Sequence, residues 1–522
     1  MKLSKKLLAL VMVFVCALSV SFGACSGGQE PDSETDLTIS FWKAGWGDQY
    51  IKNTIADFEI AYPQYNVDLQ SSTNGFMFAE TIDHGAEMNN IDLYIGSFMQ
   101  TPYNEHTEPL NDLLNRKCYG ENITLGEKLG QFYCDGLTHR DGNIYGLPES
   151  SGGYVGLVYN ADMIGEGTDY DIPVTTDELE LLVLDLLDDN NLTNVYPFIH
   201  YGQGDYWQRV YQQWWIQYDG IDAYYDFIAL KDADGNSPSK NVITAQDGRW
   251  ASISVLESIV SKDTVYPGSN QLDYQQAQTY FMNGASVMMA NGNWLINEMK
   301  SNKEASASNL KLMRTPVISA LALPDENGYD RLPSVEDDRE LAAVIRKMDE
   351  DVAYGRGGAL TGDGFDITRE DYDRIYEARF VGAPGCDASL MVIPDYSTAK
   401  DAAKDFLLFV FSDEQLKKKS QLLHADCSFS GSNFTLDTTG WLDFEISAME
   451  LGKHTTPVLG EAVGIKSNLF TLGGLAIWYT SPIREFCQQE SLTKEQYWNK
   501  LIDYYERNWD AAVRNAAAAL EG

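Results

Sequence analysis

The sequence contains few of the residues and spacings on which most catalytic and metal sites are built. Its 6 histidines are scattered singly, and no H-E-x-x-H, G-x-S-x-G or P-loop pattern is present. Its 7 cysteines include no C-x-x-C pair, so the usual spacing of zinc ligands is absent as well. The sequence therefore predicts no metal site and no cofactor, and it gives no support to a zinc protease or a nucleotide-hydrolysing subunit.

Basic residues are also scarce. The chain has 38 lysines and arginines against 77 aspartates and glutamates, which gives a formal net charge of −39. Such a surface repels nucleic acid and anionic lipid, so we expect no nucleic-acid partner. Of the 522 residues, 44% are hydrophobic, which is enough for large cores, and this length predicts two or more domains.

The N-terminus has the pattern of an export signal. Three lysines precede an apolar run over 7–20 that is shorter than the ~20 residues of a permanent transmembrane helix. Gly23-Ala24-Cys25 then resembles the bacterial lipobox, in which the signal is cut before a cysteine that carries lipid. We therefore predict a signal peptide over 1–24, a lipid on Cys25 as the sole attachment to the membrane, and a flexible linker over 25–36. An ordinary signal peptide with an incidental cysteine is the alternative.

The chain that follows alternates between strand and helix patterns. "DLTISFW" (36–42) alternates apolar and polar residues as a strand does, and "NVDLQSS" and "NNIDLYIGSF" (89–98) predict two further strands. Between the first two, "QYIKNTIADFEIAYPQY" has apolar residues at helical spacing until Pro63 ends the helix. This order predicts an α/β layer with a parallel sheet.

Five windows recur in a familiar order: "LTISFW", "IDLYIGSF", "IYGLPESSGGYVGLVYNADMI", "FMNGASVMMANGNWL" and "KDFLLFVFSDEQ". Together they resemble the extracellular solute-binding proteins of family 1, the lipid-anchored sugar receptors of bacterial ABC importers. The resemblance implies a periplasmic-binding-protein-like α/β fold with two lobes, each a mainly parallel sheet flanked by helices, and a ligand cleft between them. It also implies a monomer that delivers its ligand to ABC permease subunits.

The same resemblance predicts the division of the chain. We expect one lobe to contain 37–148 and 316–395, and the other to contain 149–315 and 396–522. The segment at about 325–385 is longer than the usual connection, and we interpret it as an insertion of two helices.

A sugar receptor needs aromatic faces for the C–H side of a pyranose, with amides and carboxylates for its hydroxyls. In α/β folds, ligand-binding groups lie at the ends of strands. We expect ligand-binding residues at ends of elements, at the first lobe crossing, in the aromatic segment 201–218 and after the glycine-flanked "FTLGGLAI". The candidates are Trp42, Trp46, Asp48, Ser97, Phe98, Glu149, Ser151, Tyr206, Trp207, Gln208, Trp294, Trp478 and Tyr479. Of these, Trp294 is also supported by the resemblance, because "NGNW" matches a family position.

These features together predict an extracytoplasmic lipoprotein that captures a carbohydrate through hinge closure, and we expect that carbohydrate to be an oligosaccharide. The predicted protein is not an enzyme. Two alternatives stay open from the sequence alone. One is a surface glycoside hydrolase, which would use paired carboxylates in an aromatic cleft. The other is a binding protein for a non-sugar solute such as a polyamine, which an acidic pocket would suit.

Overall fold

The structure of the protein is a computed structural model. It describes residues 36–43, 45–73, 81–82, 84–87, 89–97, 106–139, 141–151, 153–202, 206–302, 308–324, 328–353, 365–384, 389–459, 469–475, 482–488 and 492–521. The predicted signal peptide, the lipidation site Cys25, the linker up to residue 35, and the candidate ligand-binding residues Phe98, Trp478 and Tyr479 lie outside the described residues.

Two sheets are formed by the strands of the described residues. These strands are β1 Asp36–Trp42, β2 Asn66–Ser72, β3 Leu93–Ser97, β4 Leu147–Pro148, β5 Val155–Asn160, β6 Tyr196–Ile199, β7 Ser286–Gly292, β8 Leu310–Met313 and β9 Ser389–Val392. One sheet has the strand order β2-β1-β3-β9-β4, and the other has the order β6-β7-β5-β8.

Helices flank both sheets. In chain order they are α1 Gln49–Ala61, α2 Leu125–Leu129, α3 Gln131–Leu137, α4 Thr176–Asp188, α5 Trp207–Asp219, α6 Ile221–Ile228, α7 Asp247–Ile259, α8 Tyr274–Met282, α9 Leu295–Glu298, α10 Asp338–Ala353, α11 Arg369–Phe380, α12 Lys400–Val410, α13 Asp413–Leu423, α14 Asp443–Lys453, α15 Leu469–Leu472, α16 Pro482–Phe486 and α17 Lys494–Glu521. No helix in the described part of the chain has the length and apolar character needed to cross a bilayer.

Local sequence explains where these elements begin and end. The helix α1 stops at Ala61, two residues before Pro63, whose ring excludes the next helical turn. The helix α4 starts after Thr175, whose hydroxyl accepts a hydrogen bond from the Glu178 backbone N–H at 3.4 Å. The strand β7 is buried along its whole length, as its run of valine, methionine and alanine requires.

The predicted α/β class with two lobes is confirmed, but the sheets are mixed rather than mainly parallel. In the first sheet β1 runs parallel to β2 and β3, whereas β9 runs antiparallel to β3 and β4. In the second sheet β6 and β7 are parallel, whereas β5 runs antiparallel to β7 and β8. The antiparallel pairs arise where the chain passes from one lobe to the other and enters a sheet from the opposite end.

Each sheet has its own hydrophobic core, which defines the two lobes. The first-lobe core includes Phe41, Phe58 and Phe406, and the Phe58 and Phe406 rings meet at 5.1 Å between centroids. The second-lobe core includes Phe198 and Trp214, and a smaller cluster covers the other face of the second sheet.

The packing of two segments differs from the predicted lobe boundaries. The segment 399–429, with α12 and α13, packs in the first-lobe core, although the prediction placed 396–522 in the second lobe. Residues 317–381, with α10 and α11, pack in the second-lobe core, although the prediction placed 316–395 in the first. An amphipathic helix shows from its sequence that one face is buried, but not which sheet that face covers.

Candidate functional site

The strand ends that face each other between the lobes carry the aromatic candidates. In the first lobe, β1 ends at Trp42, and the loop after it carries Trp46. In the second lobe, β7 ends at Gly292, two residues before Trp294. Carboxyl ends of parallel strands are where α/β folds bind ligands, so this cleft is the candidate functional site.

Three aromatic rings from the two lobes meet in the cleft. The Trp46 and Trp294 rings lie 6.5 Å apart between centroids, at an interplanar angle of 78°. The Tyr206 ring lies 5.2 Å from Trp294, and the Trp294 indole N–H donates a hydrogen bond to the Tyr206 hydroxyl at 3.0 Å. All three side chains are half-buried. We call Trp46, Tyr206 and Trp294 the aromatic trio.

The position of the Trp294 ring is fixed by two glycines. A Cβ atom added at Gly153 would lie 2.5 Å from the ring, and one added at Gly292 would also overlap it. Gly153 belongs to the first chain crossing between the lobes, and Gly292 ends β7. The ring therefore rests directly on the backbone of both segments, and only glycine leaves room for it.

A carboxyl group that the sequence analysis missed lies beside the trio. Glu298 ends the short helix α9, and a Cβ atom on Gly45 of the opposite lobe would lie 2.8 Å from its Oε1. The amide of Gln278 donates a hydrogen bond to Glu298 Oε2 at 2.6 Å. Burial raises the pKa of Glu298 to about 7. Burial and the charge of Glu298 also raise the pKa of the Tyr206 hydroxyl.

Glu149 forms a saturated polar network on the first-lobe side. Its carboxylate accepts hydrogen bonds from the Tyr50 hydroxyl, from Ser389 Oγ at 2.9 Å and from Lys419 Nζ at 3.0 Å. Burial alone would raise the pKa of Glu149, but the Lys419 ammonium and the hydroxyl donors outweigh it and lower the pKa. This carboxylate therefore joins the first crossing to β9 and α13.

Three other first-lobe candidates have different surroundings. The Asp48 carboxylate pairs with Lys52 at 2.9 Å and with Lys43 at 3.5 Å, and these ammonium groups lower its pKa by outweighing partial burial. Trp42 packs half-buried against the first-lobe core. Ser97 ends β3 and pairs with Ser389 of β9.

Two candidates on α5 do not reach the trio. Trp207 is 0% exposed and packs edge-on against Phe198 at 5.0 Å, so the prediction that it binds ligand is wrong. It occupies the first turn of α5, where its side chain points into the second-lobe core. Gln208 lines a separate cavity of about 20 Å³ together with Arg249 and Tyr505, away from the aromatic trio.

A larger cavity opens beside the Trp294 ring at the chain crossings. Its volume is about 390 Å³, and it is lined from the first lobe by Tyr133 and Phe429 and from the second by Asn293. Ser151, a predicted candidate, also lines it, and the Ser151 carbonyl accepts a hydrogen bond from the Tyr133 hydroxyl at 2.5 Å. We call this space the interlobe cavity. Within the described ranges, no group of three or more histidine, cysteine, aspartate or glutamate side chains could hold a metal ion.

No protein-family model and no curated protein matches the sequence. Solved structures do match the fold. RafE, a solute-binding protein in complex with raffinose, is 14% identical, with a TM-score of 0.56 over 91% of this chain and 99% of that chain. A probable secreted solute-binding lipoprotein from Streptomyces coelicolor is 12% identical, with a TM-score of 0.58 over 91% of this chain and 100% of that chain.

The GacH receptor of Streptomyces glaucescens, described unliganded and with acarbose, is also similar. It is 12% identical, with a TM-score of 0.53 over 91% of this chain and 98% of that chain. At these identities the likeness extends to the fold and not to the individual ligand contacts. The chain therefore has the two-lobed α/β fold of the solute-binding proteins.

Proposed function

We propose that the protein is an extracytoplasmic receptor that captures a carbohydrate between its lobes and delivers it to an ABC permease. The observation that carries this proposal is the aromatic trio, because rings from both lobes meet at the strand ends of a solute-binding fold. Flat rings bind the C–H faces of pyranoses, and polar groups beside them bind the hydroxyls. The similar structures bound to raffinose and acarbose support a sugar as the ligand class.

Hinge closure is the mechanism that this arrangement supports. Trp46 lies on the first lobe and Trp294 on the second, so a ligand between the rings contacts both lobes at once. Such a ligand stabilises the closed arrangement by its extra contacts and shifts the population toward it. The permease would then recognise the closed form, which couples transport to occupancy.

A binding role fits the cleft carboxylates Asp48 and Glu149 better than hydrolysis does. Glycoside hydrolysis uses two carboxyl groups, one as acid and one as nucleophile or base. Asp48 and Glu149 are each held in lysine ion pairs, and Glu149 accepts two hydroxyl donors in addition. We therefore propose that neither carboxylate takes part in bond cleavage and that Glu149 positions the crossing segments.

Ligand screening tests the proposal. The purified chain without its signal is screened by thermal shift against a glycan panel, and the ligands found are titrated by calorimetry. We expect Trp294→Ala to weaken binding by about 1–3 kcal/mol, the scale of a lost aromatic contact. The matched control is Trp498→Ala, because Trp498 packs against Trp250 on the outer helices.

Each outcome has a defined meaning. Unchanged affinity of a folded Trp294→Ala variant would remove this ring from the site. Products of glycan cleavage in the same incubations would contradict the receptor function and support the hydrolase.

The lipid anchor on Cys25 is proposed separately. In cells fed with a labelled fatty acid, the wild-type chain should carry label and remain with the membrane, whereas Cys25→Ala should carry none. Labelling of the Cys25→Ala chain would contradict the anchor.

A further inference from the structure

Glu298 brings a carboxyl group from one lobe against the backbone of the other. Its backbone N–H donates a hydrogen bond to the Trp294 carbonyl at 3.0 Å, so the carboxyl lies one helical turn beyond that ring. Gly45, which faces this carboxyl, belongs to the loop that carries Trp46. The carboxyl group thus lies at the edge of the aromatic trio and faces the first-lobe loop that carries Trp46.

This carboxyl group is not neutralised by the protein as the other cleft acids are. Asp48 pairs with two lysines, and Glu149 pairs with Lys419. Among the described residues no lysine, arginine or histidine forms an ion pair with Glu298, and its hydrogen bond from Gln278 is a neutral one. A half-buried carboxylate without a counter-ion is costly, and burial accordingly raises the pKa of Glu298 to about 7.

Among the described residues, Gln278 is the side chain that donates a hydrogen bond to the Glu298 carboxylate. The Gln278 side chain is fully buried and uses its N–H on the Glu298 carboxylate, while its carbonyl oxygen has no donor among the described residues. A sugar hydroxyl would supply one donor and no charge. A protonated amine supplies three N–H donors and the missing positive charge. Electron-rich rings such as those of the trio attract the same group through cation–π contacts.

We propose that the cleft binds a carbohydrate that carries a protonated amine, with Glu298 as its counter-ion and the aromatic trio against its rings. This inference rests on the proposed carbohydrate-binding function and narrows the ligand class to amino sugars. Gly45 contributes by its lack of a side chain, since a Cβ atom there would lie 2.8 Å from Glu298 Oε1 and clash with the carboxyl group.

Three oligosaccharides of equal length and linkage test the inference by calorimetry near neutral pH. They are oligomers of glucosamine, of N-acetylglucosamine and of glucose, which differ in carrying a free amine, an acetylated amine or a hydroxyl. We expect the wild-type chain to bind the glucosamine oligomer about tenfold or more tightly than the other two, the scale of a charge-assisted hydrogen bond. This comparison needs no variant, so it does not depend on how a mutant folds.

The variant Glu298→Gln then assigns the preference to one side chain. It should abolish the preference for the free amine, so that the glucosamine and glucose oligomers bind the variant with equal affinity. Glu450→Gln is the control, because it removes the same charge from an exposed ion pair with Lys453. The control should keep the preference, which separates the local carboxylate from the general negative charge of the chain.

Other results would overturn the inference in distinguishable ways. In one such result, the neutral oligomers bind in a way that depends on Trp294, while the glucosamine oligomer binds no more tightly than they do. This result would leave the receptor function intact and refute the preference for an amino sugar. A preference for the amine that survives in Glu298→Gln would refute the role of Glu298. Absence of binding to every carbohydrate, with binding of a linear polyamine instead, would refute the proposed function itself.

Discussion

The half-buried carboxyl group of Glu298 gives a prediction that requires no knowledge of the ligand. Replacing it by glutamine keeps the size of the side chain and a carbonyl acceptor for the Gln278 amide, but it removes the titrating group. The pKa of Glu298 rises from the usual 4.5 to about 7 in the folded chain. The folded chain therefore holds a proton at this site over a pH range in which the unfolded chain has released it.

The direction in which pH changes the stability follows from the thermodynamic linkage between proton binding and folding. Because the folded pKa is raised, the stability associated with this group is present below about pH 4.5 and is lost as the pH rises through about 7. At about 1.4 kcal/mol per pKa unit, the full difference corresponds to roughly 3 kcal/mol. Partial exposure to solvent reduces this, so we expect on the order of 1–2 kcal/mol.

Denaturant unfolding of wild type and Glu298→Gln at about pH 5 and about pH 8 measures the effect. Between about pH 5 and about pH 8, we expect the free energy of unfolding of the variant to rise by about 1–2 kcal/mol relative to that of the wild type. Burial also raises the pKa of Asp219, to about 6, but this group is common to both chains and cancels in the difference. The prediction would be wrong if the difference in free energy of unfolding between variant and wild type were the same at both pH values. It would also be wrong if the variant lost stability relative to the wild type as the pH rises.

Three further predictions concern stability and reactivity. Trp207→Ala should destabilise the chain by about 3–5 kcal/mol in denaturant unfolding, because it empties a fully buried core position; a loss below about 1 kcal/mol would contradict its placement. Lys128→Met should lower the free energy of unfolding by about 3 kcal/mol in the same assay. The fully buried Lys128 ammonium bridges Glu121 at 2.8 Å and Asp413, and its removal takes this counter-ion from both carboxylates. Cys118 should resist a thiol reagent in the native chain and react on unfolding, because burial raises the pKa of its thiol to about 12; rapid native labelling at that position, located by mass spectrometry, would contradict this.

Local elements were well predicted from the sequence, because their signals are local. The alternation in "DLTISFW", the helix that ends before Pro63 and the buried strand before Trp294 all depend on side chains a few residues apart. The two helices predicted within about 325–385 are present as α10 and α11. The assignment of α12 and α13 to a lobe failed, because the partner of an apolar face is set by contacts distant in the chain.

The sequence also predicted only in part which single residues lie in the candidate site. Tyr206 and Trp207 are adjacent, yet one ring meets Trp294 and the other is buried in the core, since about 100° of helical rotation separates neighbours. Glu298 could have been found, because it lies four residues after Trp294 in "NGNWLINE" and so shares its helical face. The absence of a counter-ion for it could not have been predicted, because 77 acidic and 38 basic residues allow many pairings.

A crystal structure with a bound ligand from the glycan screen would show whether a carbohydrate is held between rings from the two lobes. We expect electron density for a sugar ring in contact with both Trp46 and Trp294. Density that touches one lobe alone, or that lies outside the cleft while the two tryptophans remain in contact, would contradict it.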